Sequence, residues 1–203
     1  SKIIYNGTEV RLDNGSKTPK FRGQSVLCVG SLIKLKNVQV LIQAMDILNN
    51  SKLLTGINLY IAGEGSYRSK LEQTVRKSSS KVSIHLLGNQ SNIGGLLNEC
   101  DVFVHPSYEE GFGIAVAEAM HAEKPIIVSN AGALPELIDN EISGLIVDPH
   151  KAEEWANAMV KILENPTIAK SYAKKAKEKA ERDFSVEKYT TSYERFYQNL
   201  FQI

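Results

Sequence analysis

Short apolar runs recur along most of the chain and predict a set of buried strands. Each run is rich in Val, Ile, Leu or Phe and is bounded by glycine, proline or polar residues, which is typical of strands covered on both faces. The runs lie at 26–30, 57–63, 82–88, 101–107, 125–129 and 144–148. Several of the runs end on a glycine or a turn residue, at Gly30, Gly63, Gly88 and Ser107.

The stretches between these runs carry apolar residues at helical spacing. After the first run, the repeating positions are Val38, Leu41, Ile42, Met45 and Leu48. Comparable patterns predict helices at 66–77, 91–99 and 113–122. Alternation of buried strands with amphipathic helices predicts an α/β fold, in which helices cover both faces of a parallel, Rossmann-like sheet in three layers. In such folds ligands bind at the carboxyl ends of the strands.

The two ends of the chain differ from this pattern. Beyond Pro149, the stretches 151–165, 166–183 and 185–201 predict three successive helices, each opened by a helix-start signal. The opening residues are polar and rich in turn formers. The sequence therefore predicts an edge or linker at 1–24, a Rossmann-like core at 25–150 and C-terminal helices of the same domain at 151–203, and it leaves room for a preceding segment.

The balance of charged residues, the cysteines and the lengths of the apolar runs limit which partners and locations the sequence favours. Lys plus Arg number 24 against 23 for Asp plus Glu, so no overall field favours nucleic acid or an anionic membrane, and any phosphate must be held locally. Cys28 and Cys100 both lie within apolar surroundings in the sequence and are expected to be buried thiols. We expect no transmembrane segment, because no apolar run approaches the roughly 20 residues that a span needs. The predicted location is cytoplasmic, with peripheral membrane attachment left open for a longer protein.

The stretch "EEGFGIAVAEAM" holds two carboxylates, Glu110 and Glu118, around a glycine-bearing turn. On one continuous helix they would stand about 12 Å apart, farther than the roughly 5–9.5 Å of glycosidase pairs. We therefore expect them to meet different parts of one elongated ligand and to accept hydrogen bonds from neutral hydroxyls. Gly111 and Gly113 permit close backbone approach, and the helix that follows offers free N–H groups to an anion.

A cation for that anion is expected in "VGSLIKLKN". Lys36 lies where the first strand gives way to a helix start near Asn37, whereas Lys34 is expected at the surface. A plain surface role remains the alternative for Lys36. No Asp-x-Asp pair occurs in the sequence, which predicts a site without a metal ion. His105 is interpreted as a structural residue at a strand end, with a side chain that reaches the cleft as the lesser alternative. Gly132 is interpreted as a turn glycine, with a donor contact by its loop as the alternative.

Five quoted segments together resemble a known family. They are "VGSLIKLKNVQVLIQAM", "LYIAGEG", "IHLLGN", "DVFVHPSYEEGFGIAVAEAM" and "PIIVSNAGALPELI…SGLIVD". In this order they resemble the C-terminal domain of retaining, family-4-like glycosyltransferases of the GT-B architecture. The resemblance implies one half of a GT-B fold, which binds a nucleoside diphosphate sugar as donor and needs no other cofactor. The partner domain for the acceptor normally precedes it, and "IIYNGTEV" resembles the family's inter-domain connection.

The resemblance also implies roles for individual residues. Glu110 would face hydroxyls of the transferred sugar, Glu118 the ribose, and Lys36 the diphosphate. The main chain of residues 111–114, which comprises Gly111, Phe112, Gly113 and Ile114, would approach the sugar and phosphates.

Other expected contacts lie at the ends of the first three strands. Gly30 and Gly63 would line the cleft, and Asn89 and Gln90 would lie beside the base. Ser31 is also expected to contact the donor. Many members carry arginine at this position, so we expect either weaker phosphate binding or a substitute for that charge, such as Lys34.

The resulting prediction is a glycosyltransferase donor domain with little transfer activity by itself. Two alternatives stay open: a module that binds a nucleotide or carbohydrate without transfer, and an epimerase or phosphorylase on the same scaffold. Fold-level analogy alone does not separate them.

Overall fold

A computed structural model describes residues 3–10, 18–51, 54, 56–80 and 83–201. Its centre is a six-stranded, wholly parallel sheet with the order β3-β2-β1-β4-β5-β6. The strands are β1 (Gln24–Val29), β2 (Ile57–Ala62), β3 (Ile84–Gly88), β4 (Val102–His105), β5 (Ile126–Ser129) and β6 (Leu145–Val147). This order confirms the predicted Rossmann-like α/β fold.

Helices follow the strands as the apolar spacing predicts. In the described residues they are α1 (Val38–Ser51), α2 (Arg68–Lys77), α3 (Ile93–Glu99), α4 (Ile114–His121), α5 (Leu134–Leu137), α6 (Ala152–Leu163), α7 (Pro166–Asp183) and α8 (Val186–Phe201). A short 3₁₀ helix, Lys34–Lys36, precedes α1. The three predicted C-terminal helices are present as α6, α7 and α8.

Each face of the sheet carries its own core. Alternate residues of β1 divide between them, since Val26 and Cys28 join one cluster and Leu27 joins the other. The first cluster packs against α1 and α6 around Trp155, and the second against α3 and α4 around Phe103. Both faces of the strands are therefore buried, which is why the sequence shows continuous apolar runs without polar alternation.

Chain order reverses between β1 and β4, and in open parallel sheets this is the point at which the two following loops diverge and form a crevice at the carboxyl edge. The loop after β1 contains the 3₁₀ helix, and the loop after β4 leads into α4. This arrangement brings two stretches that are far apart in sequence to one edge.

Two predicted strands end differently in the structure. The run 101–107 forms a strand only from Val102 to His105, because Pro106 lacks the N–H that a further ladder bond needs. The run 82–88 gives β3 from Ile84, and residue 82 lies outside the described residues. The loops after β3 and β4 still lie in the parts of the sequence where they were predicted.

Residues 3–10 lie against the end of α7. The Tyr5 ring meets the ring of Phe184 edge-on with 5.4 Å between centroids, and the Thr8 N–H donates to the Phe184 carbonyl at 2.8 Å. Within the predicted 1–24 segment, residues 1–2 and 11–17 lie outside the described residues. The proposed division into linker, core and C-terminal helices stays a prediction.

A search of the described ranges for a helix long and apolar enough to cross a membrane finds none. The buried thiols Cys28 and Cys100 are both unpaired, as expected. Burial raises the pKa of Cys28 to about 12.

Replacing Gly63 by alanine should lower the free energy of unfolding by about 2–4 kcal/mol. Gly63 has φ +141°, and a Cβ there would lie 2.0 Å from the Gly30 carbonyl oxygen. The matched control is Gly30→Ala, since a Cβ at Gly30 meets nothing within 4 Å, and its cost should stay below about 1 kcal/mol. Urea denaturation measures both. Equal losses of unfolding free energy in the two variants would contradict the close approach of the Gly63 main chain to the Gly30 carbonyl.

Candidate functional site

The site is built around an ion pair at the carboxyl edge of the sheet. Lys36 Nζ, from the 3₁₀ helix after β1, donates to Glu110 Oε2 at 2.5 Å. The two side chains are 22% and 14% exposed, respectively, so the pair is largely shielded from water. Its partners lie 74 positions apart in sequence, and the crevice after β1 and β4 brings them together.

His105 is a third member of this cluster. Its Nε2 lies 2.7 Å from Glu110 Oε2 and 3.1 Å from Ser107 Oγ, and its side chain is only 4% exposed. The sequence interpretation favoured a structural strand-end role for His105 over a position in the cleft, and it did not include this direct contact with Glu110. The available signal was its position as the last residue of β4, where parallel strands present side chains to the ligand edge.

The cluster fixes the charge of Glu110. The hydrogen bond from His105, reinforced by that from Lys36, lowers the pKa of Glu110 to about 2, although burial acts in the opposite direction. Glu110 is consequently a carboxylate at neutral pH. It can accept hydrogen bonds from hydroxyl groups, but it has no proton to donate as a general acid.

The main chain of Glu110 is held by the loop after β5. Gly132 has φ +55°, and a Cβ there would lie 2.2 Å from the Glu110 carbonyl oxygen. The next residue, Ala133, donates its N–H to that oxygen at 2.9 Å. Gly132 is thus a turn glycine, as predicted, and it also permits the loop to contact Glu110 directly.

Helix α4 begins immediately beyond Glu110. Gly113 caps it with φ +99°, a conformation that favours glycine. The main-chain N–H groups of residues 112–115 donate to none of the described residues, so they are available to an anion together with the positive end of the helix dipole. Gly111 and Ile114 are exposed, whereas the Phe112 ring packs against Phe184.

Glu118 lies one turn into α4, away from the Lys36–Glu110–His105 cluster, with which it shares no hydrogen bond. It is half-buried, it pairs with no described residue, and burial raises its pKa. It lines a groove of about 390 Å³ together with Thr8, Ile93 and Ile114. Glu118 therefore lines this groove, whereas Glu110 belongs to the cluster with Lys36 and His105. That both contact one elongated ligand stays a prediction.

The remaining predicted site residues lie at the same edge of the sheet. Gly30 and Gly63 follow β1 and β2 and contact each other. Ser31 and Lys34 are exposed and make no side-chain hydrogen bond to a described residue. After β3, Asn89 is exposed, and Gln90 Nε2 donates to the Leu87 carbonyl at 2.9 Å. In the described part of the chain, no three His, Cys, Asp or Glu residues cluster as metal ligands.

A protein-family model described as "Glycosyl transferases group 1" matches residues 15–181. An uncharacterised glycosyltransferase of Methanocaldococcus jannaschii is 28% identical over 98% of this chain and 53% of its own length. Glycogen synthase of Mycobacterium tuberculosis is 29% identical over 96% of this chain and 47% of its own length. The chain thus spans about half the length of these curated relatives.

A solved structure with the same fold is that of the Anabaena protein HepE, which was crystallised in complex with UDP. The two superpose with a TM-score of 0.79 at 23% identity, over 87% of this chain and 49% of HepE. This chain therefore shares the fold of about half of HepE.

Proposed function

Because the chain belongs to the glycosyl transferases group 1 family, we propose that it binds the donor in an enzyme that transfers a sugar from a nucleoside diphosphate sugar to an acceptor. The observation that carries this proposal is the Lys36–Glu110–His105 cluster beside the free N–H groups at the start of α4. It places a cation, peptide dipoles and a hydroxyl acceptor in one crevice.

The proposed chemistry is electrostatic. When the bond between sugar and diphosphate breaks, negative charge grows on the diphosphate as it leaves. Lys36 and the N–H groups of residues 112–115 stabilise that charge in a shielded crevice, where preorganised donors act more strongly than in water. No divalent ion is required in this scheme.

Glu110 supplies orientation in the proposed reaction. As a carboxylate it accepts hydrogen bonds from sugar hydroxyls, which fixes the ring relative to the departing diphosphate. Retention of the anomeric configuration is proposed from the resemblance to retaining glycosyltransferases.

The proposed division of labour extends to the rest of the enzyme. The acceptor and any further catalytic group belong to a preceding acceptor-binding domain, which relatives of about twice this length have room to contain. The 203-residue chain is therefore expected to bind the donor while transferring little sugar. We propose a cytoplasmic location, at or near a membrane when the acceptor is a lipid.

Calorimetry of the 203-residue chain with uridine, guanosine and adenosine diphosphates tests this function. Uridine diphosphate is the first probe because HepE was crystallised with UDP. We expect one of the three to bind in the micromolar to low millimolar range, roughly −8 to −4 kcal/mol, equally well with a chelator and with Mg²⁺. Absence of binding by all three, or binding only with Mg²⁺, would refute the proposed site.

Replacing Glu118 by glutamine should weaken binding of the preferred nucleoside diphosphate about tenfold. Hydrogen bonds to a charged acceptor contribute about 1.5–3 kcal/mol, and the proposed partners of Glu118 are the ribose hydroxyls. The 2′,3′-dideoxy analogue should bind the variant and the original chain equally well. The exposed Glu109→Gln serves as control. If the variant lost affinity for both nucleotides alike, Glu118 would not contact the ribose.

A further inference from the structure

The ion pair of the ligand-free site conflicts with the proposed role of its lysine. Lys36 Nζ is committed to Glu110 Oε2 at 2.5 Å. In the proposed function the same ammonium binds a diphosphate, whose charge has the same sign as that of Glu110. The two anions therefore compete for Lys36.

Releasing Lys36 would leave a shielded carboxylate with one donor fewer. The Glu110 side chain is 14% exposed, and an unpaired charge in such surroundings is costly. The structure places a second donor on the same oxygen, since His105 Nε2 lies 2.7 Å from Glu110 Oε2.

The contacts of His105 orient its ring for this role. Nδ1 is buried and has no hydrogen-bond partner among the described residues, so the proton is best placed on Nε2, which faces Glu110. Ser107 Oγ also contacts Nε2, and Ser129 Oγ donates to the Ser107 carbonyl at 2.5 Å. The ring therefore keeps its orientation whatever Lys36 contacts.

We propose that His105 is a positioning residue, which holds Glu110 in place when Lys36 turns from Glu110 to the diphosphate of the donor. This inference rests on the proposed function. In the ligand-free site Glu110 has both partners; in the donor complex Lys36 binds the diphosphate and His105 alone holds the carboxylate ready for the sugar.

Two consequences distinguish this arrangement from a simple packing role. Neutralising Glu110 removes the competitor for Lys36, so Glu110→Gln should bind a nucleoside diphosphate more tightly. Removing His105 leaves Glu110 dependent on Lys36, so the diphosphate should bind less tightly. This weakening should occur only when residue 110 carries a negative charge.

A double-mutant cycle on the 203-residue chain, read by calorimetry with uridine diphosphate, tests the coupling. If the three-nucleotide screen selects guanosine or adenosine diphosphate, that nucleotide replaces uridine diphosphate in the cycle. We expect His105→Leu to weaken binding about tenfold when Glu110 is present and less than about twofold in the Glu110→Gln background. Glu110→Gln alone should strengthen binding severalfold. His105→Gln, which keeps a side-chain N–H within reach of Glu110, should bind within about threefold of the original chain.

Equal weakening by His105→Leu in both backgrounds would overturn the proposal, because His105 would then act through the core. Unchanged binding in the Glu110 background would overturn it as well. His105→Asn, whose shorter amide does not reach Glu110, replaces His105→Leu if circular dichroism shows that variant to be unfolded. Failure of the original chain to bind any of the three nucleotides removes the proposed function itself, whereas binding without coupling removes only the role of His105.

Discussion

Replacing Lys36 by methionine should weaken nucleoside diphosphate binding about 100-fold. The change keeps the apolar stem of the side chain and removes its charge. Charge-assisted hydrogen bonds from an ammonium to phosphate oxygens contribute about 1.5–3 kcal/mol, and about 2.7 kcal/mol corresponds to this factor. The crevice shields these bonds, since Lys36 is 22% exposed. Calorimetry with uridine diphosphate, or the nucleotide preferred in the screen, measures the loss.

Lys34→Met is the matched control for this experiment. Lys34 lies in the same 3₁₀ helix, but it is exposed and its charge is screened by solvent. Its replacement should change affinity by less than about threefold, a bound that follows from the small energy of exposed ion pairs. A larger loss with Lys34→Met than with Lys36→Met would move the phosphate contact to Lys34.

Replacing Glu110 by glutamine in the complete enzyme should lower kcat for sugar transfer by about 1,000-fold, while nucleoside diphosphate binding is not weakened. Glutamine keeps the shape of the side chain but has one acceptor oxygen and no charge. A preorganised group that acts only on the reacting part of the substrate affects the rate by about 10²–10³. Steady-state transfer assays and calorimetry on the same variant separate the two effects.

Glu109→Gln is the control, because Glu109 is the exposed neighbour of Glu110. It should keep both transfer and binding. Full transfer by Glu110→Gln would instead favour a module that binds nucleotide or carbohydrate without using this carboxylate in chemistry. This outcome would leave the Lys36 result intact, since the loss of the Lys36 charge should weaken phosphate binding whether or not Glu110 takes part in transfer.

Much of the site was accessible from the sequence because its parts follow strand ends. Lys36 lies shortly after β1 and Glu110 shortly after β4, and the loops after parallel strands share one edge of the sheet. The same reasoning separates Glu110, which precedes α4, from Glu118, which lies inside it.

The direct partners of Glu110 were less accessible. A histidine at the end of a buried strand is consistent with packing as well as with a ligand site, and only the distance of 2.7 Å from His105 Nε2 to Glu110 Oε2 decides. The contact of Gly132 with the Glu110 main chain was equally hard to predict, because the Gly132 loop follows β5 whereas Glu110 follows β4. No periodicity connects these positions.

By itself the sequence determined the α/β class, the parallel sheet, the order of its elements along the chain and the sheet edge that carries the candidate site. These features follow from apolar spacing, which records which side of each strand and helix is buried. Tertiary structure alone decided which side chains meet at that edge. Their directions depend on loop dihedrals, such as φ +51° at Asn37 just after Lys36 and φ +99° at Gly113 before α4, and on the approach of loops that are distant in sequence. Burial patterns record neither of these.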